Sequence, residues 1–296
     1  MDYIIRAINK EKDVKIQVAI TTELVEKARK THNLTKTASA VLGRTLSAGI
    51  ILAEDMKNEK DSITVNINGD GPVGRIVATA KNNGKIKGYV QNPNADADVR
   101  ESDGKLDVSG LVGNGTLTVV RDLGMREPYV GQVPLVSGEI AEDFANYLYT
   151  SDQVPSVVGL GVLVDTDLTI KSSGGFILQL MPGASEETIC KIEENLKDLP
   201  TVTQMIESGF NAEDILNRVM QGFEMKILNK KEISFDCDCS KEKVEDALVS
   251  LGTKEIEEII KEDKKAEIQC HFCNTFYNFD EEDLNKILLK INQINS

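Results

Sequence analysis

The 296-residue sequence predicts an α+β fold in three successive parts. Up to about residue 180, short β-type runs follow one another with few helical stretches between them, which is typical of antiparallel pairing. Residues 181–232 carry short helical patterns, and residues 233–296 hold four of the five cysteines. We therefore expect an N-terminal α/β domain over 1–180 with mainly antiparallel sheets, a helical linker over 181–232 and a small C-terminal zinc-binding domain over 233–296.

The composition fits a protein with more than one folded domain. Single cores rarely grow beyond about 250 residues, and 41% of the residues are apolar. The formal net charge is −14, and an acidic surface repels phosphate groups, which argues against nucleic acid or an anionic membrane as a partner. No run approaches the roughly 20 apolar residues of a membrane span, and the N-terminus lacks the plan of a signal peptide. We therefore expect a cytoplasmic protein whose thiols are kept reduced.

The N-terminal part opens with a predicted hairpin and continues with two helices. The β-type runs YIIRAINK and VKIQVAIT flank a charged turn. The stretch TELVEKARKTHN follows, and then a longer one that begins TASAVLG. Its many small residues are typical of a helix packed inside a domain.

Most of the remaining N-terminal part is predicted to form strands. The runs RIVATAK and KIKGYVQ flank Asn82–Gly84, which favours a tight turn. A helix is predicted at AEDFANYLYTSDQ. Further strands are predicted within SITVNIN, GTLTVVRDLG, GQVPLVSGEI and on both sides of a turn in VGLGVLVDTDLTIKSSGGFILQLMPG.

The linker is predicted to contain three short helices. Thr201 with Gln204 forms a capping box for the second, and Asn211 can cap the third. Helices of this length are marginal alone in water, so we expect the linker to depend on whatever it packs against. The apolar residues on one face of the first and third helices are Ile189, Ile192, Leu196, Leu199, Ile215, Leu216, Val219 and Met220.

The C-terminal part places two cysteine pairs around predicted amphipathic helices. Cys237 and Cys239 form a CxC motif, and Cys270 and Cys273 form a CxxC motif. Structural zinc takes four tetrahedral ligands, usually from two closely spaced pairs. It also supplies roughly 10–16 kcal/mol of folding free energy, which a domain with a thin core needs. The sequence therefore predicts one Zn²⁺ per chain, held by these four thiolates.

Other interpretations of the cysteines are weaker. A thioredoxin-type CxxC belongs to a βαβ unit and would leave the CxC unexplained. A nucleic-acid zinc ribbon fits the pairs but not the acidic residues around them. His271 can replace a sulfur, but four thiolates already suffice. Cys190 lies outside both motifs, and no role is assigned to it.

Bound zinc and disulfides within this group exclude each other. Thiolates on one zinc ion stand about 3.8 Å apart, whereas a disulfide needs about 2.05 Å. Oxidation would therefore eject the metal and remove the free energy that folds the domain. A redox switch is physically plausible at this site.

No enzyme site emerges from the remaining motifs. The stretch GDGPVG (69–74) has the spacing of a dinucleotide-binding loop, but Pro72 and a following hairpin replace the required helix. The two histidines, His32 and His271, offer no catalytic triad.

Taken with its other motifs, the sequence resembles the heat shock protein 33 family over its whole length. The two cysteine motifs lie near the C-terminus, as in that family, and the second reads CHFCN. The N-terminal stretches that carry the resemblance are TASAVLGRT (37–45), GPVGRIVA (71–78), GNGTLTVVRDLG (113–124), GLGVLV (159–164) and GGFILQLMPG (174–183).

The resemblance implies a redox-regulated molecular chaperone, an ATP-independent holdase that is inactive when reduced and zinc-bound. Cys237, Cys239, Cys270 and Cys273 match the family's ligands one for one. It further implies that oxidants form the disulfides Cys237–Cys239 and Cys270–Cys273 and release zinc, usually under mild unfolding stress. The oxidised protein, often a homodimer, would then bind unfolding client proteins and prevent their aggregation.

We expect the linker to form part of the client site. Loss of the zinc domain would leave its apolar residues without cover, and exposed apolar surface of this kind binds other proteins. The residues expected to bind clients are Ile192, Leu196, Ile206, Leu216 and Val219.

Two other function classes stay open on the residues alone. A constitutive adaptor would use zinc only for structure, and a thiol-disulfide enzyme would turn over substrates. Peroxide at raised temperature separates the redox-switched chaperone from the adaptor, because only the chaperone would release zinc and gain anti-aggregation activity.

Overall fold

A computed structural model describes residues 1–101 and 103–294. The chain divides into two compact units, Met1–Asp236 and Cys237–Ser296. None of the described helices combines the length and apolar character needed to cross a membrane.

The first unit contains eleven described strands and seven described helices. The strands are β1 (Tyr3–Asn9), β2 (Val14–Ile20), β3 (Ser62–Gly69), β4 (Arg75–Lys81), β5 (Lys85–Val90), β6 (Gly115–Asp122), β7 (Tyr129–Pro134), β8 (Ser156–Val164), β9 (Ile170–Leu180), β10 (Met225–Glu232) and β11 (Ser234–Phe235). The helices are α1 (Thr22–His32), α2 (Lys36–Ala53), α3 (Val108–Val112), α4 (Ala141–Thr150), α5 (Glu186–Lys197), α6 (Val202–Glu207) and α7 (Ala212–Val219).

Two sheets form the frame of this unit. The first sheet has the order β10-β1-β2-β9-β8 and is antiparallel throughout. The second sheet has the order β11-β5-β4-β3-β6-β7, and only the short β11 runs parallel to its neighbour. The predicted α+β class with antiparallel pairing is therefore confirmed, as are the hairpins β1–β2 and β4–β5. The GDGPVG stretch joins β3 to β4.

Helix α2 lies between the two sheets, and this position accounts for its many small residues. It contacts β8 and β9 of the first sheet and β3, β4 and β5 of the second. Nearly every residue from Thr37 to Ala53 is buried. A Cβ atom at Gly43 would come within 2.8 Å of the side chains of Val25 and Val162. Small residues are needed here because neighbouring elements approach the helix closely on both sides.

The three linker helices cover the first sheet on the face away from α2. Helices α6 and α7 contact its strands, and α5 contacts α7. The predicted caps are present: Thr201 pairs with Gln204 at α6, and Asn211 pairs with Asp214 at α7. Each cap satisfies backbone amides that the first turn leaves unpaired.

The linker is not helical to its end, which corrects the predicted helical character of residues 181–232. Residues 225–232 form β10, which pairs with β1 along the edge of the first sheet. This segment is rich in lysine and half exposed, so its own sequence favours no buried strand. It becomes a strand because β1 offers it an unpaired edge, which is a tertiary effect.

The second unit is a small helical domain with one hairpin. Its strands are β12 (Ala266–Gln269) and β13 (Phe276–Phe279), which pair in antiparallel fashion. Its helices are α8 (Lys241–Val249), α9 (Thr253–Glu262) and α10 (Glu281–Ile294). The fully buried side chains of its core are few: Leu248, Ile256, Phe279, Leu284, Ile287 and Ile291.

Candidate metal centre

The CxC motif, Cys237 and Cys239, stands at the start of the second unit. Ser240 caps α8, its hydroxyl accepting a hydrogen bond from the amide of Lys243 at 3.3 Å. The ammonium of Lys243 reaches back to the carbonyl oxygen of Asp238 at 2.6 Å and to its carboxylate at 2.9 Å. These contacts fix the residue between Cys237 and Cys239, so that the chain presents both sulfurs next to a helix start.

The CxxC motif forms the turn of the β12–β13 hairpin. The carbonyl oxygen of Cys270 accepts from the amides of Asn274 at 2.8 Å and Cys273 at 3.4 Å. The amide of Cys270 donates to the carbonyl of Thr275 at 2.9 Å. Asn274 has a φ of 58°, a left-handed conformation that asparagine tolerates better than most residues. The turn therefore holds both cysteine side chains on one side of the knuckle.

The structure brings the four predicted sulfur atoms into one cluster. They all lie within 4.8 Å of one another. The Sγ atoms of Cys237 and Cys270 are 3.8 Å apart, and those of Cys239 and Cys273 are 3.2 Å apart. Tetrahedral thiolates on zinc stand about 3.8 Å apart, so the cluster has the size of such a site. All four cysteines are free thiols. Both of these Sγ–Sγ distances are well above the disulfide bond length of about 2.05 Å.

Two residues that the sequence analysis missed contact the sulfurs. The hydroxyl of Tyr277 donates to Sγ of Cys239 at 3.0 Å. The hydroxyl oxygen of Thr275 lies 3.2 Å from Sγ of Cys273. Both follow the CxxC motif at alternate positions, so strand periodicity could have placed them on one face. Hydrogen bonds of this kind orient ligands and tune a metal site.

The four thiols differ in how readily each ionises. Burial raises the pKa of Cys237 and of Cys270, and nearby sulfurs add to the effect. Burial acts in the same direction on Cys273, but hydrogen bonds from Thr275 and the neighbouring thiols outweigh it and lower the pKa of Cys273 to about 7. The hydrogen bond to Cys239, followed by burial, raises the pKa of Tyr277. A coordinating divalent cation deprotonates thiols outright, so this donor set suits a cation that binds soft ligands.

A model of the family described as Hsp33 protein matches residues 2–280. The chain belongs to the Hsp33 family. Among curated relatives, the 33 kDa chaperonin of Clostridioides difficile (strain 630) is 51% identical over 97% of this chain and 98% of its own length. The 33 kDa chaperonin of Clostridium botulinum (strain Okra / Type B1) is 49% identical over 97% of each chain.

A solved Hsp33 structure has the same fold. The crystal structure of the 33 kDa chaperonin (heat shock protein 33 homolog) from Thermotoga maritima superposes with a TM-score of 0.90. It is 38% identical and covers 99% of both chains. The relatives of this Hsp33 chain are thus named as chaperonins rather than as enzymes.

The five linker residues expected to bind clients lie inside the first unit. Ile192, Leu216 and Val219 are at most 4% exposed, and Leu196 and Ile206 are half-buried against the same cluster. The other side of this cluster comes from the first sheet, through Ile5, Ala7, Val18, Phe176 and Leu178. The first sheet supplies cover for these residues within the first unit, and the expected cover from the zinc domain stays a prediction. Cys190, on α5, is exposed and belongs to no cluster of possible metal ligands among the described residues.

Proposed function

We propose that this Hsp33-family chain is a redox-regulated, ATP-independent holdase that binds unfolding proteins during oxidative stress. The observation that carries the proposal is the cluster of four thiols within 4.8 Å of one another in a small unit with few core residues. Such a unit depends on its thiols staying together. Their redox state then decides whether the unit is folded.

Cys237, Cys239, Cys270 and Cys273 would hold one Zn²⁺ in the resting state. Zinc bound to four thiolates would supply roughly 10–16 kcal/mol of folding free energy. The hydroxyls of Tyr277 and Thr275 are placed to hold two of the sulfurs in position. The rest of the unit contributes the hairpin and the cap of α8, which orient the two motifs.

Oxidation by a peroxide is the proposed trigger. Two hydrogen peroxide molecules accept four electrons from the four thiolates, and their O–O bonds break to give four hydroxide ions. Two S–S bonds would form, within Cys237–Cys239 and within Cys270–Cys273, and these sulfurs would then no longer hold a zinc ion. The two cysteines of each motif are separated by only one or two residues, so each disulfide can form within its own motif.

A second condition is needed for client binding. The apolar face of the linker is covered by the first sheet, within the first unit. Loss of zinc therefore does not by itself expose this face, and the linker must also leave the sheet. Helices α5 to α7 are short and marginal alone, so mild heat can supply this step. We thus propose that full activity requires oxidation and unfolding stress together.

The proposed resting state is reduced, which places the protein in a compartment that keeps thiols reduced, the cytoplasm. The proposed partners are unfolding clients and, after oxidation, a second copy of the chain. The proposed homodimer rests on the resemblance described under the sequence analysis, and light scattering coupled to size exclusion tests it.

A constitutive zinc-stabilised adaptor is the second candidate. The observation that favours it is the cover of the linker by the first sheet, which comes from within the first unit. In an adaptor, zinc would stay bound or leave without any gain of client binding.

The test measures zinc release and aggregation of an unfolding client in one sample. Reduced, zinc-loaded protein is treated with peroxide at 25 °C and at mildly raised temperature. The proposal predicts release of about one zinc per chain and strong suppression of light scattering only after both treatments. Zinc release without suppression at either temperature would contradict it and favour the adaptor.

A further inference from the structure

A cavity of about 390 Å³ lies within the first unit, apart from the cysteine cluster. Its walls come from the start of α2, from β8, from Val99 and residues 104–106, and from the beginning of α6. Half of the lining residues are aliphatic. Its size is within the range of sites that hold small molecules.

The polar groups of this cavity are cationic. Lys36, Arg44 and Lys105 line it, together with the hydroxyl-bearing Thr201 and Thr203, and none of the described lining residues is acidic. This reverses the sign of the protein, which carries a net charge of −14. A local patch of opposite sign attracts anions.

The neighbouring carboxylates do not use up these cations. Arg44 donates to the carboxylate of Glu139 at 2.8 Å, but Arg100 shares that carboxylate. Lys36 has no carboxylate within ion-pair distance in the described part of the chain, and Lys105 is 3.8 Å from Asp103. The ammonium groups of Lys36 and Lys105 are therefore the donors at this cavity that an anionic group could satisfy.

The cavity also adjoins the point where the linker meets the core. Thr201 caps α6. A Cβ atom at Gly161 of β8 would lie 2.8 Å from Cγ2 of Thr203 and 3.3 Å from its nitrogen, so α6 approaches the strand closely here. A molecule in this cavity would contact α2, β8 and the linker at once.

We propose that the cavity binds a small amphipathic anion, with a carboxylate or phosphate at the cationic end and an apolar body along the aliphatic walls. When bound, this ligand stabilises the docked linker. The claim that the ligand opposes release of the linker rests on the proposed function. The claim that the cavity binds an amphipathic anion does not depend on that function.

Binding is tested by isothermal titration of the reduced, zinc-loaded full chain with octanoate and octyl phosphate. Inorganic phosphate and octanol test the charged and apolar parts separately. Saturable binding of octanoate or octyl phosphate, about tenfold or more tighter than either part alone, supports the site. If octanol binds as tightly as octanoate, the cavity is only an apolar gap. If inorganic phosphate binds as tightly as octyl phosphate, the cavity is only a surface anion site. Either result overturns the proposal.

Variants assign the binding to this cavity. Lys36→Met combined with Lys105→Met should weaken binding about tenfold or more, whereas the matched control Lys57→Met, an exposed lysine outside the cavity, should leave it unchanged. Unchanged binding in the double variant would overturn the assignment. Circular dichroism shows whether each variant is folded.

Hydrogen exchange separates the site from its regulatory role. Ligand should slow exchange in residues 202–207 and raise the temperature at which peroxide-treated protein suppresses aggregation. Binding without slower exchange would overturn the claim that the ligand opposes release of the linker but keep the site. Slower exchange in a protein that never suppresses aggregation would contradict the proposed function instead.

Discussion

The ammonium of Lys231 lies 2.7 Å from the carboxylate of Glu54, whose side chain is only 4% exposed. Lys231 ends the linker on β10, and Glu54 directly follows α2 in the core of the first unit. The same ammonium donates to the carbonyl of Asn82 at 2.6 Å and to its side-chain oxygen at 2.8 Å. The linker is therefore held by a polar clamp at its end as well as by apolar contacts at its helices.

Removal of this clamp should ease activation. Lys231→Met leaves the buried carboxylate of Glu54 without its cation, which should cost about 1–3 kcal/mol of stability. We expect a lower melting temperature by circular dichroism. We also expect peroxide-treated protein to suppress aggregation at a lower temperature than wild type. The matched control is Lys226→Met, an exposed lysine on the same strand, and equal effects of the two substitutions would refute the role of the clamp.

Loss of one sulfur should unfold the second unit. Cys239→Ser removes a thiolate and the acceptor of the Tyr277 hydroxyl, and a serine hydroxyl is a poor zinc ligand. We expect the zinc content to fall from about one per chain towards zero, with loss of helical ellipticity from α8 to α10. Cys190→Ser, which changes the exposed cysteine on α5, should keep both. A zinc-replete, fully helical Cys239→Ser protein would argue against the four-thiolate site.

Asp2 should make the stability of the first unit depend on pH. Burial raises the pKa of Asp2 to about 6, although the amides of Leu24 and Glu23 donate to it and oppose the effect. A folded pKa above the unfolded value near 4 means that the folded state binds the proton more tightly. Stability from this group therefore falls as pH rises from about 4 to 6.

Asp2→Asn isolates this effect, since its carbonyl oxygen can still accept from Leu24. The variant should be more stable than wild type by about 1–3 kcal/mol at pH 7.5, and the difference should vanish near pH 4. Thermal melts across this pH range measure it. The exposed Asp98→Asn serves as a control; a pH-independent difference for Asp2→Asn would show that the carboxyl does not titrate as described.

The linker face should determine client affinity in the oxidised state. Leu196→Ser and Ile206→Ser each remove an apolar side chain that is only half-buried in the resting fold. Burying such a side chain contributes about 1.5–3 kcal/mol, so we expect roughly tenfold weaker binding of an unfolded client by fluorescence anisotropy. Leu228→Ser changes a linker residue that is 47% exposed on β10 and lies outside the buried cluster. If Leu228→Ser weakens client binding as much as Leu196→Ser and Ile206→Ser do, the client site does not lie on the linker face.

Local signals in the sequence predicted much of the fold. Alternating apolar residues predicted most strands, and the pairs Thr201–Gln204 and Asn211–Asp214 begin helices where a capping pattern predicts them. These signals work because the physical cause lies within a few residues. The cysteine spacing likewise predicted the cluster, since two short motifs need only one hairpin and one helix start to meet.

What the sequence could not predict depends on partners distant in the chain. The polar segment of β10 becomes a strand because β1 leaves an edge open to it. The cover of Leu216 comes from the first sheet, and no pattern within 181–232 identifies that surface. Cover by the first sheet matters for the proposed function, in which it separates zinc release from exposure of the linker.

The most direct test of the account follows hydrogen exchange of the linker in three states of the full chain: reduced with zinc, oxidised at 25 °C, and oxidised at mildly raised temperature. The amides of α5 and α7 should stay protected until both conditions are met and then exchange rapidly, while those of α2 remain protected in all three states. Equal protection of α5 and α7 in all three states, with aggregation nevertheless suppressed, would contradict the claim that the released linker binds clients.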